Sequence, residues 1–292
     1  MFILISDAFA KDLPDNLIQF GEVSQDKDCL SKADVVLIRS KTKVTKEYID
    51  SAPNLKLVIR GGVGLDNVDL EYAKEKGIIV RNTPTASSIA VAELAFTLMI
   101  CLPNHVVKGH NSMHAGEWIK KELKRSELYG KTLGILGLGR IGVELAKRAA
   151  VFGMKVIAYD PFVSESENAE IIQQLTDVLN KADFVSMHIP LTDETEGIIN
   201  QALLHEFKDG AYLINTGRGK TIVEDDVVAA LASGKLAGFG TDVWYSDPPV
   251  NSPLIDAPNV LMLPHLGAST KENLMRIGEI ICSIISEFNQ SR

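Results

Sequence analysis

Short β-rich runs alternate with helical stretches from one end of this chain to the other. That alternation restricts the chain to parallel sheets with helices packed on both faces. In the first third the β-rich runs are residues 2–6, 35–38, 57–60 and 78–81, separated by amphipathic or polar stretches such as 45–51 and 68–76. A second series starts near Gly130, with strands expected at 132–136, 155–159, 184–188, 212–215, 238–243 and 260–263. Helical patterns at 141–152, 175–180, 201–207 and 224–233 lie between them. Six strands joined by crossover helices is the strand count of a full dinucleotide-binding fold. The proline-rich stretch 245–258 reads as a loop, and 271–288 reads as a terminal helix whose packing partner the pattern does not name. A length of 292 residues suits two domains of this kind.

Composition excludes several classes. A hydrophobic fraction of 46% and a charged fraction of 23% fit a folded globular chain, not a disordered one. A formal net charge of −8, with no long Lys/Arg block, gives no footprint for nucleic acid. Cys29, Cys101 and Cys282 are scattered without a CxxC pair, as expected of reduced packing residues in a cytoplasmic protein. The N-terminus from Met1 to Asp7 has no basic lead and reads as a buried first strand, not as a signal peptide. The longest apolar stretch, 89–102, is shorter than the ~20 residues a bilayer requires. It also contains Glu93 and Thr97, so it is expected to be a buried helix, with no membrane partner.

The sharpest local motif is Gly137-Leu138-Gly139-Arg140-Ile141-Gly142, a GxGxxG that follows the strand 132–136 directly and opens a helix. In that context each glycine has a task. Gly137 makes the tight turn, Gly139 lets the backbone approach a pyrophosphate, and Gly142 allows close helix–strand packing. The next strand ends at Asp160, eighteen residues past Gly142, where an acid can bond the adenosine ribose hydroxyls. A carboxylate there repels the 2′-phosphate of NADP, so NAD is the expected cofactor. The plainer reading of Asp160 is a strand-end residue that starts the turn at Pro161.

Ligands of open α/β sheets bind beyond the carboxyl ends of the strands. The residues that follow the later strands are Thr216-Gly217-Arg218-Gly219, then Thr241-Asp242, then Pro264-His265-Leu266-Gly267. One Arg, one Asp and one His thus come to one sheet edge. A guanidinium holds a carboxylate bidentately, and an imidazole takes a hydroxyl proton near neutral pH. That is the equipment of a hydroxy-acid dehydrogenase. His110 and His114 have helical metal-ligand spacing, but no third ligand is evident and no metal is expected.

These motifs together resemble the D-isomer-specific 2-hydroxyacid dehydrogenases over essentially the whole chain. The resemblance runs through Leu37-Ile38-Arg39-Ser40, Arg60-Gly61-Gly62-Val63-Gly64 with Asp66-Asn67-Val68-Asp69, and Asn82-Thr83-Pro84. It continues through Ala92-Glu93-Leu94, Gly130-Lys131-Thr132-Leu133-Gly134-Ile135 and His188-Ile189-Pro190-Leu191-Thr192. Asn215-Thr216-Gly217-Arg218-Gly219 and Pro264-His265-Leu266-Gly267-Ala268 complete the series.

The resemblance implies an α/β fold of two doubly wound parallel-sheet domains. A flavodoxin-like substrate domain would span 1–87, completed by 269–292, and a Rossmann NAD-binding domain would span 88–268. It implies that His265 is the acid/base, that Arg218 binds the carboxylate and keto oxygen, and that Asp242 holds the nicotinamide amide. Arg140, Ile141, Asp160 and Thr216 would contact NAD, together with Gly137, Gly139, Gly142, His188, Pro190, His265, Gly267 and Ala268. Gly61, Gly62, Val63 and Gly64 would offer N–H groups to the substrate carboxylate. Arg39 and Arg60 would bind a phosphate, helped by Lys120 or Lys121 of a second subunit, which points to 3-phospho-D-glycerate as substrate. The dinucleotide domains would pair as a homodimer.

Two departures stand out. The family's glutamate partner of the histidine is replaced by Asp247, which keeps the charge that favours imidazolium but is one methylene shorter. The chain also ends at Arg292, soon after the last family helix, so it is expected to lack a regulatory extension and not to be inhibited by serine. Two other readings stay open: a glyoxylate, hydroxypyruvate or D-lactate reductase with the same machinery, and a non-catalytic NAD-sensing corepressor.

Overall fold

The β-rich runs of the first third lie side by side. A computed structural model describes residues 1–290. In it β1 (Phe2–Ile5), β2 (Glu22–Ser24), β3 (Val35–Ile38), β4 (Leu57–Arg60) and β5 (Ile79–Asn82) pair in the order β2-β1-β3-β4-β5, all parallel. This is the flavodoxin-like order, which reverses between β1 and β3. Successive strand residues point to opposite faces, so one sheet serves two cores. Ile3, Ile5, Val35, Leu37, Leu57 and Ile59 pack with Leu13, Leu17, Ile277, Ile281 and Ile285. On the other face Leu4, Val36, Ile38 and Val58 pack with Val44, Ile49, Ala73 and Ile78. Ile277, Ile281 and Ile285 lie one turn apart on the terminal helix Lys271–Gln290. Each is fully buried, worth about 1.5–3 kcal/mol relative to exposure.

The second sheet holds β6 (Thr132–Leu136), β7 (Lys155–Tyr159), β8 (Glu170–Ile171), β9 (Phe184–Met187), β10 (Ala211–Asn215), β11 (Leu236–Thr241) and β12 (Val260–Met262). Its order is β12-β11-β10-β9-β6-β7-β8, again all parallel. Read from the other edge this is the 3-2-1-4-5-6 dinucleotide-binding order with a seventh strand added. Both faces are covered: Ile157 and Leu213 enter one core, while Val156, Ala158 and Ile214 enter the other. The apolar stretch 89–102 forms most of the helix Ser88–Cys101, whose Ala92, Ala95, Leu98 and Met99 are buried in that second core. Among the described residues no single helix is long and apolar enough to cross a membrane.

By tertiary contacts the chain divides into two units, Met1–Ser88 with the stretch from Ala268 onward, and Ile89–Gly267. Each sheet has one strand more than the sequence pattern suggests. The extra strands, β2 and β8, lie at sheet edges and have three and two residues, too few to display an alternation. Strand β11 also starts two residues earlier than expected, at Leu236, and the loop 245–258 contains a short helical turn, Pro253–Asp256.

Candidate functional site

In the larger unit the strand order reverses between β6 and β9, and the glycine loop lies at the carboxyl end of β6. Gly137 has φ +90°, a conformation other residues adopt at a cost, and a Cβ there would stand 2.8 Å from the His188 carbonyl oxygen. No atom lies within 4 Å of where a Cβ on Gly139 would be, so the backbone there is open to a close ligand. The helix Arg140–Val151 starts at Gly139 with neither a side-chain cap nor an acid in its first turn. Its first N–H groups and its dipole therefore remain available to an anion.

Asp160 does more than end a strand. Its Oδ2 accepts from the Leu138 N–H at 2.8 Å, and its Oδ1 accepts from the Phe162 N–H at 2.9 Å. It therefore starts the turn at Pro161 and also fastens the glycine loop. Two buried polar atoms nearby in the fold have no hydrogen-bond partner among the described residues: His188 Nδ1 and Thr216 Oγ1. The open Gly139 surface, the uncapped helix start, the fixed carboxylate and these atoms fit an NAD molecule. Replacing Asp160 by Ala should therefore weaken NAD binding as well as its preference over NADP. Titrating both cofactors checks this, and a variant that only gains NADP affinity would show that the loop does not depend on Asp160.

The catalytic candidates stand at the ends of β10, β11 and β12. Asn215, fully buried, accepts from the Gly217 N–H at 3.0 Å through Oδ1 and donates to the Arg218 carbonyl at 2.9 Å through Nδ2. Thr221 Oγ1 donates to the same carbonyl at 2.6 Å. The main chain of Arg218 is thus held from two sides, while its guanidinium donates to the Gly217 carbonyl at 2.8 Å.

Asp242 is 1% exposed, and its two oxygens accept from the Leu266 and Gly267 N–H groups, both at 2.7 Å. Burial pushes its carboxyl above the usual range, against the pull of those two bonds. Its observed partners are the main chain beside His265. His265 itself has φ +55°, a strained value for a side-chain-bearing residue. The Asp247 carboxylate bonds its Nδ1, which leaves Nε2 as the ring nitrogen that this carboxylate does not engage. A cavity of about 410 Å³ runs past Trp244, Asp247, Leu263 and His265. His188, with Nε2 bonded to Ser186 Oγ at 3.0 Å, is pushed by burial down to about 4 and stays neutral at physiological pH. Pro190 follows it, and its carbonyl accepts from Thr195 Oγ1 at 2.7 Å.

In the smaller unit Arg60 ends β4, paired in register with Ile38, so Arg39 and Arg60 occupy the carboxyl ends of adjacent strands. The Arg60 guanidinium fills the space that a side chain at Gly62 would take. Arg39 donates to the carbonyls of Ala8 and Ala268 at 3.4 and 3.3 Å, and burial lowers its affinity for its proton while the Asp7 charge raises it. In the loop 61–64, the Gly62 carbonyl accepts from the Thr83 N–H at 3.0 Å and the Val63 carbonyl from Asn82 Nδ2 at 2.5 Å. With the carbonyls tied on that side, the N–H groups of Val63 and Gly64 point the other way, the polarity an anion needs.

Several residues that build this scaffold were not singled out as site residues in the sequence. Asp7 accepts from the N–H groups of Arg39 and Thr42 at 2.6 and 3.1 Å, and Asn67 donates to the carbonyls of the same two residues at 2.7 and 2.6 Å. Asn82, Asn215 and Trp244 belong to the same class. Asp7, Asn82 and Asn215 end or follow strands, so the strand-end rule that picked out Arg218 would have flagged them. By contrast, His110 and His114 only stack their rings at 6.4 Å, and no group of three metal-ligating side chains occurs among the described residues.

Comparison with known proteins agrees with this geometry. Residues 96–267 match the NAD-binding domain of the D-isomer specific 2-hydroxyacid dehydrogenases. The chain is 45% identical over 262 residues to a hydroxypyruvate reductase of Thermotoga maritima, covering 88% of this chain and 86% of that protein. It is 41% identical over 297 residues to a D-3-phosphoglycerate dehydrogenase of Methanocaldococcus jannaschii, covering 98% of this chain but only 57% of that longer protein. The crystal structure of an Aquifex aeolicus D-lactate dehydrogenase, complexed with NAD and lactic acid, superposes with a TM-score of 0.89 at 29% identity over 99% of this chain and 96% of that one. The family match over residues 96–267 and the 45% identity over most of both chains show that the chain belongs to the NAD-dependent D-isomer specific 2-hydroxyacid dehydrogenase family.

Proposed function

We propose that this dehydrogenase interconverts 3-phospho-D-glycerate and 3-phosphohydroxypyruvate, the opening reaction of serine biosynthesis. The observation that carries the reading is the pair of arginines, Arg39 and Arg60, at the carboxyl ends of adjacent strands β3 and β4. An unphosphorylated hydroxy acid needs only one carboxylate site, and guanidinium groups are the preferred donors to phosphate. In the oxidation, His265 Nε2 takes the C2 hydroxyl proton, with Nδ1 held by Asp247. Arg218 and the N–H groups of loop 61–64 bind the carboxylate, and Arg39 and Arg60 bind the phosphate. NAD held at the glycine loop 137–142 and Asp160 would supply the hydride acceptor for C2, whose oxidation gives the keto group. The reading extends to a cytoplasmic homodimer, supported by the exposed apolar side chains of Val106, Val107, Met113 and Trp118; the molar mass in solution decides the assembly.

The Thermotoga relative favours a second reading, reduction of hydroxypyruvate itself. Steady-state assays with NADH separate the two. Phosphohydroxypyruvate should exceed hydroxypyruvate in kcat/KM at least about tenfold, since each charged hydrogen bond contributes ~1.5–3 kcal/mol. Arg60→Ala should erase most of that advantage and spare NADH binding, and Arg39→Ala should erase part of it. Equal use of both keto acids, or an equal loss with both in Arg60→Ala, makes the protein a hydroxypyruvate reductase.

A further inference from the structure

Residues 242–247 touch both neighbouring strand ends. The main chain of Trp244 abuts Gly219, where a Cβ would overlap the Trp244 carbonyl group. The next pair is fastened too, with the Lys220 ammonium 5.0 Å from the centre of the Tyr245 ring. On the other side the Trp244 indole Nε1 donates to the Leu263 carbonyl at 3.0 Å, and the Leu263 N–H donates to the Thr241 carbonyl at 2.9 Å. Gly219 follows Arg218 directly, and Leu263 precedes His265 by two residues. One side chain and its own peptide therefore bridge the two groups to which the reaction is assigned.

We propose that Trp244 is a positioning residue that sets Arg218 and His265 in register. The proposal rests on the reading that those two residues act on the substrate. Three features support it. His265 has φ +55°, so its conformation must be imposed from outside. Asp242 holds the two residues after it through their N–H groups, and Trp244 holds the turn before it through the Leu263 carbonyl. Trp244 is 9% exposed, so water is poorly placed to replace its N–H. A phenylalanine fills most of the same space but has no donor, and the Leu263 carbonyl would then lose its partner. A shift of about 1 Å in a catalytic group costs up to ~100-fold.

Two variants read the two ends of the bridge separately. Trp244→Phe removes only the bond on the His265 side, so kcat should fall roughly tenfold while the KM of the keto acid stays within about twofold. Gly219→Ala pushes the Trp244 main chain away from Arg218, so it should raise the keto-acid KM by a larger factor than it lowers kcat. Both rates are normalised to the number of NADH-binding sites, counted by nicotinamide fluorescence, so that unfolded chains do not enter. A merely structural tryptophan would lower the melting temperature and the number of sites but leave kcat per site unchanged. That result in Trp244→Phe, or the same change in kcat and KM in both variants, overturns the proposal; if Gly219→Ala does not fold, Trp244→Phe decides alone. His265→Ala and Arg218→Ala are assayed alongside. If they retain full turnover, the underlying reading fails; if they are inactive and Trp244→Phe is normal, only the role of Trp244 fails.

Discussion

Replacing His265 by Ala should lower turnover by about 10²–10⁴-fold, the range of a positioned general acid–base, while NADH binding changes by no more than a few-fold. The reason lies in the arrangement of one ring. The Asp247 carboxylate engages Nδ1, so the proposed proton exchange with substrate would fall to Nε2. Asp247 serves two purposes here, orientation and charge, and two substitutions separate them. Asp247→Asn keeps an acceptor for the Nδ1 proton but loses the charge, and should cost roughly tenfold in kcat. Asp247→Ala loses both and should cost roughly a hundredfold. The pair is half-exposed, at 35% and 44%, so these effects belong to catalysis and not to folding stability. Single-turnover measurement of NADH consumption gives the chemical step directly. An Asp247→Ala enzyme with normal single-turnover rates would make that residue an ordinary loop acid before Pro248.

The second large effect concerns stability and comes from His188. Its folded-state pKa is pushed down to about 4 by burial, against an ordinary value of 6.5. Between those two values the unfolded chain binds a proton that the folded chain does not, so folding stability falls as pH drops from about 6.5 towards 4. At about 1.36 kcal/mol per pH unit the full loss is on the order of 3 kcal/mol. The contribution is fully present above 6.5. His188→Gln replaces the ring by a side chain that stays neutral throughout, so its urea-unfolding free energy should depend less steeply on pH over this window. The difference between the two slopes isolates His188 from other titrating groups. Parallel slopes for the two proteins would mean that the imidazole is not shielded from water. The measurement is made without cofactor, because His188 follows β9 close to Gly137 and a bound dinucleotide would add its own stabilisation.

Much of this protein is legible in its sequence wherever the signal is local and periodic. The alternation of short apolar runs with helical stretches gave ten of the strands their places, because a buried parallel strand needs four or five consecutive apolar residues and shows them. The glycine loop was readable for a similar reason: turn, close approach and helix start fall within six residues, so Gly137, Gly139 and Gly142 carry their geometry with them. Arg218, Asp242 and His265 were singled out as candidates by a rule of position, since strand ends of an open sheet face the ligand. The edge strands β2 and β8 were invisible because two or three residues carry no period.

Other features only the tertiary structure decided. Asp160 looked like either a ribose ligand or a turn starter; its bond to Phe162 is the local turn, whereas its bond to Leu138 comes from the adjacency of β6 and β7. Asp242 was legible only as an acid at a strand end; that its two oxygens meet the Leu266 and Gly267 N–H groups depends on β12 lying beside β11. The holding of Arg39 by Asp7 and Asn67, and of Leu263 by Trp244, joins residues 19 to 32 positions apart in the chain. Hydrogen-bond partners of that kind leave no trace in local pattern, because a polar side chain at a strand end looks the same whether it meets solvent or a neighbouring main chain. Which of the two it meets is set by strand order, and strand order follows from how the whole set of apolar faces is buried together.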